Sequence, residues 1–157
     1  MIESAARPGA SAVSNANAWK AAVNIGMDRP FVGAGYRATE VPSVYSQYKP
    51  PDDPKRALAV HSAYFQVLAD QGVVGLVLFC LMFLLAVLNC RWVRKQCAPI
   101  DHLQWLAYLA SMLEVSFLGY AVGAAALSMA YYDVFIVLLV VSALIRQYAK
   151  DEIKHAT

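Results

Sequence analysis

Charge is what this chain has least of. Only 15% of its 157 residues are charged, and the 13 Lys and Arg nearly cancel the 11 Asp and Glu, leaving a formal net charge of +2. An excess that small, scattered along the chain with no basic block, gives no polyanion-binding surface and excludes a nucleic-acid partner. Cysteine is scarce as well. Cys80, Cys90 and Cys97 lie inside or just beyond one apolar run and none has CxxC spacing, so there is no disulfide framework and no metal signature. Ordinary apolar packing is the expectation for Cys80 and Cys90. The opening stretch MIESAARPGASAVSNANAW lacks the apolar core of a signal peptide.

What the chain does have is hydrophobicity. Apolar residues make up 59% of it, against about 45–50% in an ordinary soluble domain, and this composition reads as a membrane protein. Gly72 to Cys90 is almost wholly apolar and uncharged, close to the ~20 residues that cross a bilayer core. Arg91, Arg94 and Lys95 follow at once. A second apolar stretch runs from about Leu103 to Ser128, interrupted by Glu114. A third runs from about Val134 to Ile145 and is closed by Arg146, Lys150 and Lys154. The expectation is three spanning helices. With three spans both basic clusters fall on one side, which the positive-inside rule makes cytoplasmic. Residues 1–60 then form an outer, periplasmic loop segment, and 61–96 a periplasmic helix running into the first span and its cytoplasmic end. Residues 97–146 hold spans two and three, and 147–157 form a cytoplasmic tail. His102 and His155 fall on the cytoplasmic side, and Asp133 near the outer end of the third span. A polar segment delivered outward ahead of its first hydrophobic helix is expected for the tail of a larger multi-spanning protein.

The outer segment carries Arg7, Lys20, Arg29, Arg37, Lys49, Lys55 and Arg56, cations that call for a use. Apolar Trp19, Ala22, Val23 and Met27 suggest a short amphipathic helix over Ala16–Met27, lying on the membrane surface and stopped by Asp28, Arg29 and Pro30. Gly33 and Gly35 around Ala34 predict a tight turn with exposed backbone N–H groups. Either an ordinary turn or a phosphate-binding loop fits that spacing. From Tyr45 to Pro54 the prolines make a stiff, extended connection.

A helix then starts near His61 or Ser62 and is expected to run unbroken into the first span. Over it His61 and Gly72 differ by about three turns plus ~20°, and Gly75 falls ~40° to the other side. Histidine and both glycines therefore share the face suited to close helix contact. His61 is the leading catalytic candidate, because a ring with a pKa near ~6.5 can take a proton from an attacking hydroxyl at neutral pH. The alternative is a helix-capping or interfacial histidine. Ser62 fits an N-cap better than a nucleophile, since no Asp stands beside His61 to complete a triad. Gly119 and Gly123 form a GxxxG attributed to packing. Glu114 lies deep in the second helix, either as a functional group or protonated and hydrogen-bonded to a neighbouring helix.

HSAYFQVLADQGVVG resembles the His-[Asn/Ser/Gln]-x9-Gly-x-x-Gly pattern of the O-antigen ligase and polymerase superfamily. Upstream, AWKAAVNIGMDRPFVGAGY resembles that family's Trp-to-Pro-x-x-Gly-x-Gly segment. LASMLEVSFLGYAVGAAALSMAYYDV resembles the last helices of the exosortase-associated O-glycosylation ligase subgroup. The resemblance runs from about Ser14 to Ile145 and matches the C-terminal portion of the family. It implies an all-α integral membrane fold, namely the C-terminal three transmembrane helices of a GT-C-like multi-spanning protein, preceded by a periplasmic loop with short helices.

It also implies a glycosyltransferase of the bacterial inner membrane that uses no metal and no cofactor. Such an enzyme moves a glycan from undecaprenyl diphosphate to a protein, lipid or polysaccharide hydroxyl in the periplasm, surrounded by membrane lipids. In that reading His61 is catalytic, and Arg29, Arg37 and Arg56 hold phosphate or glycan, Arg37 being best placed. Gly33, Gly35, Gly72 and Gly75 are the motif glycines. Fixed cations suit a diphosphate leaving group whose charge grows as the glycosidic bond breaks. The chain departs from the family before Trp19, where Asn15 or Asn17 stands in place of a frequent arginine. A repeat-unit polymerase of the same superfamily, and a non-enzymatic membrane subunit of a polysaccharide export complex, are the alternatives.

Overall fold

The computed structural model describes residues 10–55 and 57–155. Among them the secondary structure is entirely helical: α1 (Ala10–Asp28), α2 (Pro42–Tyr48), α3 (Ala63–Cys97), α4 (Gln104–Ala126) and α5 (Asp133–His155), with short 3-10 turns at Ala38–Glu40 and Asp101–Leu103. Each boundary has a local cause. The alanine-rich α1 has high helix propensity and stops where Pro30 cannot donate and restricts Arg29. Pro42 starts α2, a position where its missing N–H costs nothing, and Pro50 and Pro51 follow its end. Pro99 lies just beyond α3. Asp133 in the first turn of α5 and Lys154 and His155 in its last complement the helix dipole.

The chain divides into two compact units. The first comprises residues up to Val77 together with Ala125–Ala130, and the second comprises Leu78–Ala124 with Tyr131 onward. In the first, α1 buries Ala18, Ala21, Ala22 and Ile25 completely, an i, i+3, i+4, i+7 stripe. The apolar face expected from sequence is therefore rotated: Ala22 is inside, but Val23 and Met27 are exposed. Ala22 and Ile25 pack with Ala38, Val60 and Ala69 against Trp19, Val44, Tyr48 and Phe65. Trp19 stacks on Phe65 at 5.2 Å between centroids and donates its indole N–H to the Val60 carbonyl at 2.8 Å. Asn24 and Asp28 of α1 tie to Tyr48 of α2 through the Asn24 amide to its carbonyl and its hydroxyl to the Asp28 carboxylate. These contacts make the buried face of α1 part of a packed core, while Val23 and Met27 stay on its outer side.

The second unit is built from helix periodicity. Ala86, Cys90, Val93 and Cys97 of α3 interleave with Leu103, Leu106, Ala107, Ala110, Leu113 and Phe117 and with Ile145 and Ala149 of α5. Many are small, which lets helix axes approach. Phe79, Phe83, Phe117, Tyr120 and Phe135 form an aromatic cluster with centroid separations of 4.8 to 6.5 Å. Cys90 and Cys97 are buried, as apolar packing requires of Cys90, but Cys80 is exposed. Glu114 pairs with Arg94 at 3.1 Å. Its partner across the helices is thus Arg94. A Cβ on Gly119 would meet nothing within 4 Å, so the packing expected of the GxxxG is not made at that glycine.

Two stretches, Ala63–Cys97 and Asp101–Ala126, are helical, long and apolar enough to cross a membrane. Their outward residues, including Leu81, Leu84, Leu88, Met112, Val115 and Val122, form the apolar outer surface that a membrane span needs. The third expected span does not reach that standard. The uncharged run of α5 from Val134 to Ile145 covers only ~18 Å at 1.5 Å per residue, against a ~30 Å core, and Arg146, Lys150 and Asp151 then lie inside the same helix.

Candidate functional site

Helix α3 is not continuous. Gly72 has φ 73° and ψ −171°, which interrupts the i→i−4 ladder and frees carbonyls in the turn before it. The 29–38 loop fills that break. Ala34 N–H donates to the Ala69 carbonyl at 2.9 Å, Gly35 N–H donates to the Asp70 carbonyl at 3.1 Å, and Val74 N–H returns to the Pro30 carbonyl at 3.3 Å. The Asp70 carboxylate accepts two more bonds, from Arg37 N–H and Ala38 N–H, each at 2.9 Å. Loop and helix break thus satisfy each other's backbone groups, which neither does alone.

The motif glycines mark the places where the two backbones nearly touch. A Cβ on Gly33, at φ 61°, would lie 2.5 Å from the Asp70 carbonyl carbon. A Cβ on Gly72 would lie 2.5 Å from the Pro30 oxygen and 2.8 Å from the Arg29 oxygen. No side chain fits at either position. Gly35, at φ 95°, has open space around it and is required only for its conformation. Gly75 is buried against the Gln71 side chain, which lies across the break at Gly72. The Gly-x-Gly segment and the Gly-x-x-Gly segment are therefore two halves of one interlock.

Two sequence expectations change here. The helix is broken at Gly72 and begins at Ala63, so His61 and the glycines do not share a face of one straight helix. The N–H groups of Gly33, Ala34 and Gly35 are not exposed for an anion, because they are bonded to the carbonyls of Arg29, Ala69 and Asp70. The turn itself forms as expected.

His61 takes part in none of these bonds. Its backbone adopts φ 47°, a left-handed conformation that costs a non-glycine residue roughly 1–2 kcal/mol, and its N–H donates to Ser128 Oγ at 3.1 Å. The ring is exposed. Ser62, buried to 2% exposure, precedes α3, and its carbonyl accepts Gln66 N–H at 2.9 Å, in keeping with an N-cap position. Arg37 is likewise left-handed, at φ 54° and ψ 39°, with its backbone tied to Asp70. Its half-exposed guanidinium pairs with Glu40, and that hydrogen bond and charge raise its pKa further above the ordinary value. Arg29 places its carbonyl against Gly72 while its exposed side chain meets Asp28 at 3.8 Å. Arg56 lies outside the described residues.

Sequence reasoning missed Asp70, Gln66 and Ser128. With Ser62, Gln66 and Asp70 recur every four residues as a buried polar stripe at 2, 8 and 4% exposure, and Gln66 Oε1 has no partner. A carboxylate two residues before a motif glycine, at the head of an apolar run, was the available signal. Nothing in the sequence marks Ser128. The chain matches no curated protein and no solved structure. Residues 3–80, which contain the whole interlock and His61, match the model of the O-Antigen ligase family.

Proposed function

We propose that this chain is part of a GT-C-like membrane glycan ligase that moves a glycan from undecaprenyl diphosphate to a hydroxyl-bearing acceptor on the periplasmic side of the bacterial inner membrane. The observation that carries the proposal is the family match over residues 3–80. The geometry agrees with it. An exposed imidazole on a strained left-handed backbone, pinned by Ser128, is the kind of outlier that function maintains. In this reading His61 accepts the proton of the attacking hydroxyl, and the Arg37 guanidinium stabilises the departing diphosphate. Arg37 is already paired with Glu40, so a phosphate exchanges one anionic partner for another and Glu40 tunes how tightly the donor is held. Arg29 and Arg56 are further donor contacts. In this reading α5 completes a third crossing with Arg146 and Lys150 at the interface, so residues 1–60 face the periplasm and 147–157 the cytoplasm.

The test is transfer by the full-length protein carrying His61→Ala, in membranes where its level and insertion equal those of the parent. Transfer should fall by at least ~100-fold, the scale of a lost general base. Transfer retained within a few fold would overturn the catalytic role of His61. Product analysis separates a single ligated glycan from a lengthening series of repeat units, which would mark a polymerase.

A further inference from the structure

The second unit carries a polar cleft of about 420 Å³ that the proposed transfer does not use, lined by Asn89 of α3 and Ala143, Arg146, Gln147 and Lys150 of α5. Two cations meet there at one aromatic ring. The Arg146 guanidinium lies 5.4 Å and the Lys150 ammonium 5.9 Å from the centroid of the Trp92 ring. Cations four residues apart on a helix repel, and a π face holds them without neutralising them. Arg146 gives one Nη1 hydrogen bond to Asn89 Oδ1, yet its Nε is buried with no partner. Among the described residues no carboxylate pairs with either cation. A buried donor left unspent is costly, and this one belongs to one of two cations that no carboxylate compensates.

The place of the cleft along the helices says which anion fits. The uncharged run of α3 ends at Cys90, next to Asn89 and Trp92, and that of α5 ends at Ile145, next to Arg146. Before those points both helices expose apolar side chains, among them Leu84, Leu85, Leu88, Val137, Val140 and Leu144. The cleft therefore sits where apolar surface gives way to polar on both helices at once, the level of lipid phosphates, and a tryptophan is at home there. Arginine's planar fork takes two oxygens of one phosphate, and lysine adds a point charge. We propose that this cleft binds the phosphodiester head group of an anionic membrane lipid, in the manner of basic pockets between membrane helices.

The test uses the whole chain labelled with 5-fluorotryptophan in neutral detergent micelles. Its Trp92 fluorine resonance is assigned by Trp92→Phe and titrated with short-chain phosphatidylglycerol, short-chain phosphatidylcholine or inorganic phosphate. The Trp92 resonance should shift and saturate with phosphatidylglycerol at a concentration at least ~10-fold below that for the other two, each cation being worth roughly 5-fold. That preference should vanish in R146Q/K150Q and persist in R91Q, which changes a neighbouring exposed cation. Unmoved Trp19 and Trp105 resonances certify that the variants are folded. Equal response to phosphatidylcholine, saturation by inorganic phosphate alone at the same concentration, or a preference unchanged in R146Q/K150Q would each overturn the proposal.

Discussion

The two units of this protein are held together by different physics. In the first, the decisive contacts are backbone to backbone: Ala34 and Gly35 bond the carbonyls that Gly72 releases, and Gly33 and Gly72 lie where a single added carbon would strike main-chain atoms. In the second, alanine, cysteine, leucine and phenylalanine interleave on three helices, and cores of that kind absorb volume-conserving changes at modest cost. A backbone interlock has no comparable slack, because carbonyls cannot repack. The unit with the strained residues and the candidate histidine is thus the one where local sequence is least free to vary.

The largest expected effect breaks the interlock directly. Gly33→Ala and Gly72→Ala each combine a left-handed penalty of roughly 1–2 kcal/mol with a main-chain clash, and should destabilise the first unit by more than ~4 kcal/mol, in the exceptional range for single substitutions. Amide exchange should show Ala34 and Gly35 losing protection. Gly35→Ala meets no atom within 4 Å and should cost only the ~1–2 kcal/mol of its conformation. Equal tolerance of Gly33→Ala and Gly35→Ala would remove the steric argument for the interlock.

Next is Asp70, whose side chain fastens the loop at Arg37 and Ala38. Asp70→Ala leaves the N–H groups of Arg37 and Ala38 without the carboxylate they share and should cost roughly 2–4 kcal/mol. Asp70→Asn keeps one acceptor oxygen and should cost about half as much. Exchange protection at Arg37 and Ala38 should fall in both, while Ala34 and Gly35, bonded to main-chain carbonyls, stay protected in the milder variant. Loss of all four together in Asp70→Asn would mean that the carboxylate holds the entire loop rather than its last turn.

What was legible in the sequence follows the same division. Long apolar runs announce α3 and α4 as candidate spans because crossing a bilayer would demand such composition over ~20 residues, a signal that does not depend on any one side chain. The motif glycines were legible as special positions but not as mutual contacts, since Gly33 and Gly72 are 39 residues apart and no periodicity links a turn to a helix break. For the same reason the helical-wheel argument that joined His61 to Gly72 fails: it presumes α-helical geometry at the two residues that depart from it. Asp70 went unnoticed because its partners are backbone N–H groups, which every sequence possesses. The third expected span rests on an uncharged run of only 12 residues, Val134 to Ile145, so composition does not mark it as it marks α3 and α4, and the buried face of α1 was misplaced because alanine buries deeply without standing out as hydrophobic.

A smaller effect sharpens the contrast from the side of the second unit. Glu114 is 14% exposed and Arg94 49%, so Arg94→Gln strands a mostly buried carboxylate and should cost roughly 2–3 kcal/mol, less than a fully buried pair would. The double substitution Arg94→Leu with Glu114→Leu should recover most of that loss, because apolar residues replace ion pairs well in a packed core. Thermal unfolding in detergent measures both. No recovery in the double variant would show that this unit, like the first, depends on a specific polar contact.

The smallest effect concerns acid. Tyr45, fully buried, donates its hydroxyl to Asp53 Oδ2 at 2.5 Å, and Asp53 is itself 4% exposed. Burial alone would raise the Asp53 pKa, but the Tyr45 hydroxyl, the Lys55 N–H and the charges of Lys49 and Lys55 outweigh it and hold the carboxyl below its usual range. A folded-state pKa below the unfolded value of ~3.9 contributes stability that is fully present above that pH and is lost as pH falls through the lower folded value. Tyr45→Phe should therefore cost about 1–2 kcal/mol at neutral pH and flatten the acid side of the stability profile below pH ~4. The change should register at Trp19, which packs in the same unit, before it registers at Trp105 in the second. Simultaneous acid response at both tryptophans would mean that the two units unfold as one, and the contrast between them would then describe how each is built but not how each fails.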